Sequence, residues 1–269
     1  MPDRPFRLSI IDYLNSAPLN YGFKRGLGYE HFHLKFQVPS LCADHLRSGE
    51  VDAGLISSIE FLRIPDLLIV PGLCIASPKR VRSVVILSKV PPEEIKSLAL
   101  DTSSRSSVVL GQILLRERYG ATPSTHDMEP NPEQMLATHD AALVIGDPAM
   151  RARKEGLIVM DLAEEWHAWT GLPFVFALWM VREAAPEVPT PGGVAPFFHK
   201  SLEMGQQNLT AIIEEAWHSI GWTKLELREY LTENISYHLG EPERESLALY
   251  FEKAVRHGFA PEGRSLRFL

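Results

Sequence analysis

The chain has 269 residues, 45% of them hydrophobic and 23% charged, and its 27 Lys and Arg against 34 Asp and Glu give a formal net charge of −7. A chain of this length buries roughly three-quarters of its unfolded surface, so its core needs neither disulfide nor metal staples. The negative balance excludes modes in which many basic side chains neutralise a phosphate backbone, and Cys42 and Cys74, with no CxxC, cannot build a disulfide framework or a thiolate zinc site.

Short apolar runs alternate with helical patterns over the first two-thirds of the chain, the signature of stacked βαβ units with a mostly parallel sheet. Strands are predicted at residues 8–13, 34–38, 53–56, 68–70, 84–88, 97–100, 141–145 and 174–181. Helices are predicted between them at 41–48, 107–119, 132–138 and 148–154, with Gly49, Gly120 and Gly156 at their C-terminal ends. Prolines 186, 189, 191 and 196 mark a surface linker, after which helices are expected at 198–220, 224–237 and 243–257 with no further strand.

The N-terminus enters its first strand-like run without the apolar stretch of a secretory signal, and the most apolar later run, 172–181, has ten residues where a membrane helix needs about twenty. A cytoplasmic chain in a reducing compartment, with no membrane segment and no nucleic-acid partner, is expected. The longest strand-like runs, 81–89 and 172–182, stand at transitions between blocks of βα units. If both cross between lobes, residues 1–88 and 177–269 form a large lobe and 89–176 an inserted small lobe, with a ligand cleft between them. A single doubly wound sheet fits the same periodicity.

The strongest local signal is Asp101-Thr102-Ser103-Ser104-Arg105-Ser106-Ser107, between a strand and the start of a helix. Unpaired N–H groups and the positive dipole end of a helix N-terminus bind anions, and five hydroxyls with an arginine exceed what capping needs. An acidic or dicarboxylate ligand is implied. Asn15 and Ser16 after the first strand, Ser57 and Ser58 after the third, Arg82 and Ser83, and Gly146-Asp147 all lie at strand ends, where open α/β sheets place ligands. Each alone also reads as a turn or a cap. No GxSxG, P-loop, HExxH or GxGxxG is present. His31 and His33 share a strand face without a third metal ligand.

These segments, Tyr13-Leu14-Asn15-Ser16-Ala17-Pro18-Leu19, Val81-Arg82-Ser83-Val84, Leu100 through Ser107, Ile145-Gly146-Asp147-Pro148-Ala149, and Asp161-Leu162 through Thr170-Gly171-Leu172-Pro173-Phe174, follow one another in order. Together they resemble the chorismate dehydratase family of the futalosine route to menaquinone, over nearly the whole chain. Ser57 stands where that family's pattern has a proline. The resemblance implies an α/β, two-lobed fold of the type II periplasmic-binding-protein kind, used as a lyase that removes water from chorismate to give 3-[(1-carboxyvinyl)oxy]benzoate. It implies a small dicarboxylate partner, no cofactor and no metal, and a monomer or homodimer.

On that resemblance Asn15 and Ser83 are expected at the reacting centre. Ser57, Ser58, Arg82, Thr102, Ser103, Ser104, Arg105, Ser106, Gly146 and Asp147 are expected around the substrate. Asp101 and Asp147 are the candidate protein bases, and a substrate carboxylate is the alternative base. Two other readings share the fold. One is 1,4-dihydroxy-6-naphthoate synthase of the same route, whose pattern has His-Glu in place of Gly146-Asp147. The other is a transporter's carboxylate receptor, which requires an export signal.

Overall fold

A computed structural model describes residues 4–37, 39–262 and 265–269. Strands β1 (Phe6–Ile11), β2 (Phe32–Gln37) and β3 (Ala53–Ser57) alternate with helices α1 (Ala17–Lys24) and α2 (Pro39–Ser48), and α3 (Glu60–Arg63) leads into the long β4 (Leu67–Ser77). Next come β5 (Val84–Ser88), β6 (Ser97–Asp101), α4 (Arg105–Tyr119), β7 (Ser124–Met128), α5 (Pro132–Thr138), β8 (Ala141–Ile145), α6 (Asp147–Arg151), β9 (Ile158–Asp161) and α7 (Leu162–Thr170). The chain then runs through β10 (Phe174–Arg182), α8 (Ala195–Gln207), α9 (Leu209–Ile220), α10 (Lys224–Glu229), β11 (Ser236–Leu239) and α11 (Glu241–Arg256).

The strands form two sheets, one of six strands in the order β11-β4-β10-β3-β1-β2 and one of five in the order β7-β6-β8-β5-β9. Each sheet organises one lobe. In the first, β1 pairs in parallel with β2 and β3, while β10 returns antiparallel between β3 and β4. In the second, β6 runs parallel to β7 and β8, and β5 runs antiparallel to β8 and β9.

Strand β5 belongs wholly to the second sheet and β10, from Phe174 onward, wholly to the first. The sequence expectation had cut the chain at 88/89 and 176/177; sheet pairing instead places the crossings between Ser77 and Val84 and between Thr170 and Phe174. Strands β5 and β8 are covered on both faces, which is why Val-Val-Ile-Leu-Ser and Ala-Ala-Leu-Val-Ile are buried throughout.

Other expectations change as well. The long helix expected at 198–220 breaks at Asn208, and the helix expected at 224–237 gives way to a π-type turn at Tyr230–Asn234 and then to β11, a strand where none was expected. Strands β7 and β9, both at sheet edges, were not anticipated. Val38, the expected end of the second strand, lies outside the described residues. Among the described residues no helix is long and apolar enough to cross a membrane.

The main hydrophobic core runs without interruption through both lobes. At the seam, Trp166 of α7 packs edge-on against Phe174 at 5.5 Å and its indole N–H donates to Ser246 Oγ of α11 at 3.0 Å. Lys253 of α11 and His257, which caps its C-terminal end, both bind Glu117 of α4, at 2.6 and 2.7 Å. The helical C-terminal part therefore fastens the second lobe onto the first.

Candidate functional site

Between the lobes lies a cavity bordered by Ile11, Tyr13, Asn15, Ser16, Ser57, Ile75, Phe176 and Ala177 of the first lobe, by Val81 of the crossing, and by Val84, Ser104, Ser107 and Ile145 of the second. A more open groove near His199 and Leu209 is bordered by the first lobe and by Pro78 of the crossing, so the convergence of strand ends from both lobes favours the interlobe cavity as the site.

The first wall is the turn after β1. Ser16 directs its hydroxyl at the carbonyls of Ile11 (2.9 Å) and Tyr13 (2.8 Å), and Asn20 Nδ2 donates to the same Ile11 carbonyl at 2.6 Å. These bonds occupy Ser16 with shaping the turn. They leave the half-buried Asn15 amide, which makes no side-chain hydrogen bond among the described residues, at the cavity wall. Helix α1, which follows the turn, is held by α8: a Cβ at Gly205 would meet the Pro18 carbonyl oxygen at 2.1 Å, so only glycine permits that approach.

The second wall is the start of α4. Ser104 is the extended N-cap residue, and its hydroxyl lies 3.0 Å from that of Ser107 rather than capping an N–H of its own helix. The first-turn N–H groups of this 15-residue helix lack intrahelical acceptors, and Ser104 and Ser107 turn that end toward the cavity. Asp101 sets the loop by accepting from Ser103 N (3.0 Å) and Ile145 N (3.1 Å). Burial outweighs those donors and pushes the Asp101 carboxyl above its ordinary range.

Of the expected site residues, Asn15, Ser57 and Ser104 line the cavity. Arg105 does not; its guanidinium is committed to Asp44 (2.9 and 3.0 Å) and to the fully buried Glu60 (3.3 Å) of the first lobe. Burial works against that charge, but the two carboxylates outweigh it and raise the Arg105 pKa. Ser58 and Ser106 are also buried and face each other across the seam, Oγ to Oγ at 3.0 Å.

Ser83 is fully buried and 2.8 Å from the Tyr230 hydroxyl, behind the cavity rather than on its wall. Arg82 adopts φ +64, a strained value for a residue with a Cβ, and stacks on Trp222 at 4.1 Å beside Glu226 and Glu229. Its amide and that of Val81 both donate to Asp161, so this segment serves as the crossing between lobes. Thr102 is exposed and borders none of this space.

Gly146 adopts φ +66 and ψ −143, a conformation that favours glycine, and the Tyr13 ring would lie at an ordinary contact distance of 3.6 Å from a Cβ placed there. Beyond that ring a neighbouring cavity of about 880 Å³ holds Asp147 with Asp12, Lys24 and Arg25. Burial chiefly raises the Asp147 carboxyl, Arg151 lowers it, and Asp12 adds to the rise. The Tyr13 phenol approaches Ser103, whose buried hydroxyl has no hydrogen-bond partner among the described residues.

Tyr13, Ser107 and Phe176 line the cavity without having been expected around the substrate, although Ser107 stands in the hydroxyl-rich segment that gave the strongest local signal. Tyr13 stands at the end of the predicted strand 8–13 and at the head of the first matching segment, and nothing in its local pattern marks its ring as cavity-lining. The cavity is lined by hydroxyls, one amide and apolar side chains, and by no Asp, Glu, His, Lys or Arg. No cluster of three or more His, Cys, Asp or Glu able to hold a metal ion forms among the described residues. Such a lining holds an anion through N–H and O–H donors rather than through ion pairs.

The comparisons with known proteins agree on fold and family. A protein of Archaeoglobus fulgidus superposes with a TM-score of 0.76 at 16% identity, covering 95% of this chain and 98% of the other. The periplasmic aliphatic sulphonate binding protein of Escherichia coli superposes with a TM-score of 0.63 at 13% identity, over 98% and 96% of the two chains. The fold is thus the two-lobed α/β architecture of periplasmic binding proteins. In sequence the chain is 34% identical over 276 aligned positions to a chorismate dehydratase of Thermus thermophilus, covering 96% of this chain and 98% of the relative. Residues 6–256 match the family described as menaquinone biosynthesis, and the chain belongs to that family.

Proposed function

We propose that the chain is a chorismate dehydratase, a lyase that converts chorismate into 3-[(1-carboxyvinyl)oxy]benzoate and water in the interlobe cavity. The observation that carries this reading is the 34% identity, over nearly the full length of both chains, to a curated enzyme of that name. The cavity supports it. Chorismate carries two carboxylates, and the first-turn N–H groups of α4, the one hydroxyl proton left free by the Ser104–Ser107 pair and the Asn15 amide offer donors in a space bordered by both lobes.

Dehydration removes the C4 hydroxyl and the C3 hydrogen, leaving an aromatic ring with no net redox change. The lining holds no carboxylate, imidazole or amine to take the C3 proton, and Asp101 is occupied by two amides. The substrate's own enolpyruvyl carboxylate is then the base. The protein's contribution is to hold the substrate in a reactive pose and to stabilise developing charge with fixed dipoles.

The test is incubation of the purified chain with chorismate and no added cofactor, followed by absorbance and mass spectrometry. Appearance of the enolpyruvyl-benzoate supports the reading. Calorimetric binding of chorismate without product contradicts it and favours a receptor.

A further inference from the structure

Loss of the C4 hydroxyl requires a proton as well as a base, because hydroxide is a poor leaving group; the pKa of water is about 15.7. Of the residues that border the interlobe cavity, Tyr13 is the one with a titratable side chain. It lies two residues past β1 and also borders the neighbouring cavity that holds Asp147, so its ring partitions the two spaces.

Gly146 lies beside that ring, which would be at an ordinary contact distance of 3.6 Å from a Cβ placed there, and the phenol approaches the Ser103 hydroxyl. The adjacent Ser103 hydroxyl is buried and unpartnered among the described residues. A buried hydroxyl left unsatisfied beside a phenol that borders the cavity is a place where a ligand supplies the missing polar atom.

Resting on the dehydratase reading, we infer that Tyr13 is the proton donor to the departing C4 hydroxyl, with Ser103 as its hydrogen-bonding neighbour. The C3–H electron pair becomes the C3=C4 π bond as its proton passes to the enolpyruvyl carboxylate. The C4–O bond breaks and its oxygen takes the Tyr13 proton to leave as water. The resulting phenolate recovers a proton from the newly formed carboxylic acid, so protons and electrons balance over one turnover with no further reactant.

Burial, aided by the charges of Asp101 and Asp147 and opposed by Ser103, raises the Tyr13 pKa above its ordinary value. The phenol therefore stays protonated throughout the neutral range, as a general acid must.

The experiment compares Tyr13→Phe with the intact chain, since phenylalanine keeps the ring against Gly146 and removes only the hydroxyl. The expected result is a fall in kcat of roughly 100-fold or more, with KM little changed and thermal stability retained. As a second variant, 3-fluorotyrosine at position 13 lowers the phenol's pKa and is expected to move the alkaline limb of kcat to lower pH. Unchanged kcat in Tyr13→Phe, or an unmoved limb in the fluorinated protein, overturns the role while the dehydratase reading stands. Absence of product from the intact chain overturns that reading and this role with it.

Discussion

Ser106 Oγ of the second lobe lies 3.0 Å from Ser58 Oγ of the first, and the direction of this bond follows from proton counting. The single Ser58 hydroxyl proton goes to the Val175 carbonyl at 2.8 Å, so Ser106 donates to Ser58 while accepting the Ile59 amide at 3.1 Å. The Ser106 carbonyl receives the Tyr250 hydroxyl at 3.0 Å. Ser106 thus closes a buried chain of bonds that positions the start of α4.

Ser106→Ala leaves the Ile59 N–H and one Ser58 lone pair buried without a partner, at a cost of roughly 1–3 kcal/mol. A lower denaturant midpoint with an unchanged slope is the expected result. An unchanged midpoint shows that water or a backbone shift replaces the bond.

Arg105 looked from sequence like a carboxylate-binding group, but its partners are Asp44 and Glu60. Arg105→Ala is expected to lower stability, while Arg47 and Arg63 continue to neutralise the buried Glu60. Uniform loss of substrate binding raises KM and leaves kcat unchanged. A rise in the KM for chorismate much larger than about threefold, with stability intact, would return Arg105 to the substrate.

The two acidic candidates separate by environment. Asp101→Asn sets an amide NH2 against one of the N–H groups that Asp101 now receives, from Ser103 and Ile145, and is expected to cost roughly 1–3 kcal/mol of stability. Asp147→Asn changes a half-buried carboxyl beyond the Tyr13 ring and is expected to keep most of the turnover. Complete loss of kcat in Asp147→Asn, with chorismate affinity and fold retained, would name a protein base.

Acid sensitivity has an identifiable source in Asp52. Burial raises its carboxyl, but hydrogen bonds from Arg4 and Arg7 outweigh burial and hold the pKa at about 2. A folded pKa below the unfolded value contributes stability that is complete above the unfolded value of about 4 and is lost as pH falls toward the folded one. The shift corresponds to about 2 kcal/mol. Melting temperature is expected to drop between pH 4 and 2, and Asp52→Asn to flatten that drop while lowering stability at neutral pH.

The readability of the sequence followed burial symmetry. Strands β5 and β8 were legible to the residue because continuous apolar runs are required where both faces are covered. Strand β7, Ser-Thr-His-Asp-Met on a sheet edge, has almost no apolar content, and β11 follows a helical turn whose periodicity masks it. Helix α1 begins with Ala-Pro and was read as part of a turn.

Strand-end position puts Asn15, Ser57 and Ser104 on the cavity wall. Ser83, Arg82 and Arg105 lie near strand ends too but are absent from that wall, because composition does not tell a cleft-facing side chain from one that faces a lobe seam. Ser83 turns to Tyr230, Arg82 to Trp222 and Arg105 to Glu60, all contacts made by residues far away in the chain.

The central claim is that the interlobe cavity dehydrates chorismate. The most direct measurement is the initial rate of 3-[(1-carboxyvinyl)oxy]benzoate formation by the intact chain and, side by side, by Ala177→Phe, which places a ring in the cavity at the strand position between Ser57 and Ile75. Product from the intact chain without added cofactor, and a rate lower by on the order of 100-fold in the folded variant, is the expected result. No product from the intact chain, or equal rates from both, contradicts it.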